Sequence, residues 1–273
     1  MHLTREEERL YEGEYGWACQ VSMKILVKLG DLFGATRLIP IKSAHLSGVS
    51  YKTLGDAPID FLEALAEACG KLQAPCTLNP SSFDPDYLAK KYSEERRKKQ
   101  SRIVGLYEKM GTKPTLTCTP YYLEKPRGGW HLAWAESSAV AYANSVLGAW
   151  TNREGGPSAL AAALIGKTPN YGVHQAENRC ASVLIKVELR PTNETEFGAL
   201  GIYAGKLLKD KTPVFEGISN PTSEDLKQLG AGIASSGMTS MFHFGELPEK
   251  SGIETVSIDA KDVRNAVEGL STT

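Results

Sequence analysis

Four polar segments of this 273-residue chain carry groups able to hold an anion, a metal or a nucleophile. The first is SAHLSGVS at 43–50, where Gly48, Val49 and Ser50 bring backbone N–H groups and hydroxyls close together. That arrangement suits a carboxylate or phosphate oxygen, and equally a tight turn whose hydroxyls bond their own backbone. The second is TLNP at 77–80: Pro80 keeps Asn79 out of helix geometry, so its amide projects as it would from a plain Asn-Pro turn. The third is TLTCTPYY at 115–122, where Cys118 is bracketed by threonines and stopped by Pro120. It reads as a thiolate nucleophile with a histidine partner (His45, His131, His174 or His243), as a ligand of a metal or cluster, or as a plain thiol. The fourth runs WAESSAVAYAN at 134–144 and GAWTNREGG at 148–156. Glu136, Ser137 and Ser138 open a helix of small residues with an anion-friendly N-terminus. Beyond it stand Asn152 and Arg153, the latter able either to grip an anion in a two-bond fork or to pair with Glu154.

Positioning such groups takes a scaffold, and the apolar pattern supplies one. The first thirty residues have helical spacing, with Thr4 as N-cap and Glu7 as its capping-box partner, and glycines at 13 and 16 that divide the stretch. Short apolar runs follow at 37–41, 74–78, 115–118, 181–189, 212–215, 239–244 and 255–258. Helical patterns alternate with them at 60–72, 93–110, 137–150, 157–165, 194–208, 224–236 and 260–270. Strand-then-helix alternation predicts an α/β protein with mostly parallel sheets covered by helices. The unusual segments fall after the runs, at the sheet edge where ligands of such folds bind.

Composition narrows the function. A net charge of −1 argues against a nucleic-acid coat, no apolar run reaches membrane-spanning length, and the polar start MHLTREEERLYEGEYG is no secretory signal. Five scattered cysteines, at 19, 69, 76, 118 and 180, lack C-x-x-C spacing and predict a reducing, cytoplasmic setting with most of them as core thiols. The basic run at 96–99 follows Glu94 and Glu95 without interleaved aromatics, the pattern of a solvated helix face.

Taken in order, LTREEE, GEYG, LIPIKSAHLSGVSYKTLGDA, TLNP, TCTPYYL, WAESSAVAYANSVLGAWTNREGGPSALAAALIGKTPNYGVH and ALGIYAGK resemble the large subunit of aconitase X enzymes through to about Gly245. The resemblance implies an aconitase-like three-layer α/β/α fold and an iron–sulfur hydro-lyase. The wording SGVSYKTLGDA is similar to the archaeal branch that dehydrates (R)-5-phosphomevalonate to trans-anhydromevalonate 5-phosphate in isoprenoid biosynthesis. Cys118 then matches a ligand of a 4Fe-4S cluster, and Gly48, Val49, Ser50, Asn79, Pro80, Glu136 and Ser137 match substrate contacts. Charge logic adds Asn152 and Arg153.

The resemblance also implies a small subunit as partner, carrying the catalytic base. It places the second and third cluster cysteines in a segment beyond a helix like that at 261–270, so residues 1–273 read as one catalytic region incomplete at its C-terminus, with an internal boundary near 175–195. One of three cluster ligands is present on this reading, and Cys76 stands where the family pattern has threonine. Two alternatives stay open: a dehydratase of another hydroxy acid such as cis-3-hydroxy-L-proline, and a non-catalytic remnant that binds an anion or a partner.

Overall fold

The computed structural model describes residues 1–68, 71–82, 91–245 and 253–268; Cys69 lies outside the described residues. The chain divides into two compact units. Unit 1 comprises residues 1–125, 130–136 and 151–174; unit 2 comprises 126–129, 137–150 and 175–273.

Unit 1 opens with α1 (Arg5–Glu12) and α2 (Trp17–Leu32), two helices separated by Gly13. Thr4 and Glu7 close the capping box at the start of α1, with Glu7 Oε2 accepting from Thr4 N at 2.8 Å. The Glu7 carboxylate also meets Lys167 at 2.7 Å, which ties this helix to the strand 160 residues later. β1 (Leu38–Pro40) pairs antiparallel with β5 (Lys167–Pro169). A three-stranded parallel sheet runs β3 (Cys76–Leu78), β2 (Ala44–Leu46), β4 (Ala133–Trp134), with β2 in the middle. α3 (Tyr51–Leu54), α4 (Ala57–Ala68), α5 (Glu94–Lys109) and α7 (Gly156–Ile165) complete the unit. Alanines 159 and 161–163 leave little bulk along α7, so the helix is buried from Ser158 to Ile165, packed against α2 and β2. Met23, Leu26, Leu46, Leu78 and Ile103 fill the core around it.

Three expectations are corrected here. Residues 115–118 form no strand: Leu116 takes φ 48°, outside β geometry, and the segment follows β3 as a loop. The 43–50 segment is not all loop, because its residues 44–46 are the buried central strand β2. The helical pattern at 137–150 ends earlier, α6 covering Ser137–Ser145 in unit 2.

Unit 2 also holds a four-stranded parallel sheet, ordered β8 (His243–Phe244), β7 (Pro213–Glu216), β6 (Val183–Val187), β9 (Glu254–Ile258). Its helices are α8 (Glu194–Leu208), α9 (Ser223–Ser236) and α10 (Ala260–Glu268), the first two capped by Asn193 and Thr222. Ile185, Phe197, Leu200, Phe215 and Leu229 form the core. α8 and α9 cross at backbone contact distance, and Gly232 makes the crossing possible: a Cβ there would sit 2.5 Å from Gly198 O and 2.8 Å from Ile202 N. Gly232→Ala is therefore expected to destabilise unit 2 by about 2–3 kcal/mol, because both neighbours are backbone and cannot swing away. Helix propensity alone would favour the alanine by about 1 kcal/mol, so the sign of the shift in the thermal midpoint reads the crossing directly.

Among the described residues no helix is long and apolar enough to cross a membrane.

Candidate functional site

Because β3, β2 and β4 are parallel, their C-terminal ends lie at one edge of the sheet and all three following loops leave from it. Leu46 is level with Leu78, and His45 with both Thr77 and Trp134. The ladder continues past the strands, with Asn79 N donating to Leu46 O at 2.9 Å and Ala135 N to His45 O at 2.8 Å. Gly48, Val49, Ser50, Asn79, Pro80 and Glu136 thereby belong to one rim. The loop beside β3 adds Cys118, since Thr117 N donates to Leu78 O at 3.1 Å and the Thr115 hydroxyl to the same carbonyl at 3.1 Å. Thr117 and Thr119 hydroxyls, 3.0 Å apart, brace the turn that leaves the Cys118 thiol exposed.

The polar centre of the rim is a pair. Asn79 Nδ2 donates to Glu136 Oε2 at 2.7 Å, which fixes the carboxylate across the strand ends. Burial draws down the proton affinity of the Arg153 guanidinium, and the charge of the Glu136 carboxylate restores part of it. Arg153 is brought there by its neighbours: Trp134 N donates to the Thr151 hydroxyl at 3.1 Å, and Glu154 N to Trp134 O at 3.1 Å. The alternative Arg153–Glu154 pairing does not form. Glu154 is buried, with Ser158 donating to its Oε2 at 2.5 Å and Thr168 to its Oε1 at 3.3 Å, and burial raises its pKa despite both bonds. Asn152 is also buried, and both ends of its amide are engaged, Nδ2 with Tyr171 O and Oδ1 with Val173 N, each at 3.0 Å. Its place is in bracing the 171–173 turn. Ser137 begins α6 and belongs to unit 2.

Two residues support the rim from below, His45, which the sequence offered only as a partner for Cys118, and Gln100, which carried no signal in it. His45 is fully buried in β2, its Nδ1 2.8 Å from the Thr77 hydroxyl. Burial outweighs hydrogen bonding to Asn79 and the Thr117 backbone and pushes its pKa down to about 4. Gln100, 2% exposed on α5, clamps the loops at the rim: Oε1 accepts from Tyr51 N at 2.9 Å and Ser82 N at 3.2 Å, and Nε2 donates to Val49 O at 2.9 Å. Gln100→Leu keeps the volume and orphans all three backbone groups. It is expected to cost about 2–3 kcal/mol, read as a lower urea midpoint.

No hydrogen bond joins Cys118 to a histidine among the described residues. His131 and His174 face each other with Nδ1 atoms 3.0 Å apart, and His243 in unit 2 bonds Arg179 O. Cys76 is buried with its thiol pushed up to about 12 by desolvation, Cys19 is half-buried and shifted the same way, and Cys180 is exposed in unit 2. Among the described residues no three His, Cys, Asp or Glu side chains are grouped to hold a metal ion. Cys118 offers one thiolate to a cluster that takes three or four, so the described residues do not by themselves fit one.

A parallel sheet edge that brings together an amide-held carboxylate, a half-buried guanidinium and an exposed thiol is the candidate site of an α/β protein. Family models for the aconitase X first domain and second domain match residues 1–177 and 181–268. The chain belongs to the aconitase X family. It is 47% identical to the phosphomevalonate dehydratase large subunit of Thermococcus kodakarensis, over 99% of this chain and 70% of that one. It is 35% identical to the cis-3-hydroxy-L-proline dehydratase of Pseudomonas aeruginosa, over 89% of this chain and 43% of the relative. The crystal structure of the holo form of Thermococcus kodakaraensis aconitase X superposes with a TM-score of 0.91 at 46% identity, covering 98% of this chain and 69% of that one.

Proposed function

We propose that this chain is the large subunit of a hydro-lyase that dehydrates (R)-5-phosphomevalonate to trans-anhydromevalonate 5-phosphate, and that it works in the cytoplasm with a small subunit. The observation that carries the reading is the common rim: loops 47–50 and 79–80, Glu136 and Cys118 all leave one edge of one parallel sheet. Identity of 42–49% to phosphomevalonate dehydratase large subunits from five organisms supports it.

On this reading Gly48, Val49, Ser50, Asn79, Pro80, Glu136 and Ser137 contact substrate, with Arg153 fixing the negative charge of the rim. Cys118 is one thiolate of a 4Fe-4S cluster. Elimination of water beside a carboxylate needs the developing negative charge held in place, and a charge set before the substrate arrives requires no reorganisation during reaction. The Arg153 guanidinium is such a charge, flanked by Thr151 and Glu154, which are both bonded to the backbone of Trp134 on β4. The base that removes the proton is assigned to the small subunit.

The test is anaerobic assembly of the large subunit, carrying every cysteine the cluster requires, with its small subunit and iron and sulfide, followed by 31P NMR of (R)-5-phosphomevalonate. Conversion to the anhydro phosphate only when both chains are present is the expected result. Turnover of cis-3-hydroxy-L-proline in its place would select that substrate instead.

A further inference from the structure

Beside the 48–50 loop, Tyr51, Lys52, Gly55, Ser82, Tyr92 and Arg96 line a cavity of about 290 Å³ within unit 1. Its cations differ from the others around it. Lys98 pairs with Glu94 at 2.7 Å, Lys99 with Asp56 at 2.9 Å and Glu95 at 3.0 Å, and Arg102 with Glu63. Among the described residues neither Lys52 nor Arg96 has a carboxylate partner. The basic run at 96–99 is thus more than a solvated face: two of its members neutralise carboxylates, while Arg96 turns to a concave site that Lys52 shares. Concavity and like-signed charge together concentrate a positive field on a bound anion.

Ser82 connects this cavity to the rim. Its hydroxyl lies 2.6 Å from Ser50 Oγ and accepts from Lys52 N at 3.0 Å, while Gln100 holds Ser82 N and Tyr51 N together. A ligand reaching from the strand ends past Ser50 therefore meets Ser82, Lys52 and Arg96 next along the same chain of contacts.

Resting on the function assigned above, we propose that this cavity is the subsite for the substrate's phosphoryl group, with Lys52 and Arg96 holding the phosphate dianion and the Ser82 hydroxyl completing its cradle. A guanidinium and an ammonium suit that ligand, one as a planar fork and the other as a point charge. The phosphate does not change during loss of water from the other end of the molecule. Its contacts are equal in ground state and transition state, so they act on KM and leave kcat alone.

Lys52→Ala, Arg96→Ala and the double variant, each made in the large subunit that carries every cluster cysteine and assembled with the small subunit, test this by steady-state kinetics and by titration of the assembled enzyme with inorganic phosphate. Each single variant is expected to raise KM for (R)-5-phosphomevalonate by about 10- to 100-fold with kcat within about threefold, and Arg96→Lys to recover part of the loss. Inorganic phosphate is expected to bind wild type and to lose affinity in both alanine variants. Both side chains are exposed, so the thermal midpoint is expected to stay fixed and to separate a binding loss from misfolding. Unchanged KM in both variants, a fall in kcat at constant KM, or equal phosphate affinity in wild type and double variant would each overturn the subsite. If wild type fails to convert phosphomevalonate yet binds phosphate through Lys52 and Arg96, the substrate assignment falls and the anion subsite stands.

Discussion

Arg153→Met in the assembled enzyme is expected to lower kcat/KM for (R)-5-phosphomevalonate by about 100- to 1,000-fold while the chain stays folded. Methionine matches much of the arginine stem, so packing around the half-buried side chain survives and the guanidinium alone is lost. What changes is the positive charge that interacts with Glu136, whose carboxylate is already tied to Asn79 Nδ2 at 2.7 Å. The rim then meets an anionic substrate with its carboxylate less well compensated, and repulsion replaces a preset attraction. Arg153→Lys should retain more activity, since the charge remains and only the fork is lost. Steady-state kinetics with circular dichroism as the folding control decide it. Turnover by Arg153→Met within threefold of wild type would remove Arg153 from the site.

The strand–helix alternation was legible because most strands are built from apolar runs and most helices from longer amphipathic ones. Some of the shortest strands escaped. β2 is only Ala44–Leu46, and its middle residue is a histidine, so no apolar run marks it; it is buried because Thr77 satisfies one ring nitrogen and flanking strands satisfy its backbone. β4 has two residues and lies in a stretch whose polar neighbours dominate the pattern. The threonine-rich segment at 115–118 misled in the other direction: its β-branched residues favour strands, yet the Thr115 hydroxyl bonds the Leu78 carbonyl, the Thr117 hydroxyl pairs with that of Thr119, and Leu116 adopts positive φ.

The candidate site divides along the same line. Loops that follow strands declared themselves by composition, and the parallel register brings them to one edge. The residues that hold those loops did not. Gln100 sits at the end of a basic run that reads as solvent-facing, and only tertiary packing reveals it as a buried clamp on Val49, Tyr51 and Ser82. Asn152 resembled a substrate contact by type, but its amide is engaged by the backbone at 171 and 173. A polar residue's type in a sequence states what it can bond; the partner it finds is decided by elements brought together from far along the chain.

His45 turns that buried support into a measurable pH dependence. Its folded pKa of about 4 lies below the ordinary value near 6.5, so the folded state binds fewer protons than the unfolded state between those limits. Stability is therefore complete above about pH 6.5, declines as acid protonates the unfolded chain, and has lost about 3 kcal/mol by pH 4. The buried carboxyl of Glu154 acts with the opposite sign, its raised pKa costing stability as pH rises through that value. Comparing wild type with His45→Gln cancels that contribution, because both chains retain Glu154. The glutamine chain loses the Thr77 contact and should be less stable at pH 7.5, but its unfolding free energy should fall by about 3 kcal/mol less than that of wild type between pH 7 and pH 4. Urea unfolding at unit steps across that range gives the two slopes. Converging curves identify the histidine on the central strand as the acid-sensitive element of unit 1, whereas parallel curves would mean that water or a neighbour stabilises its charged form within the fold.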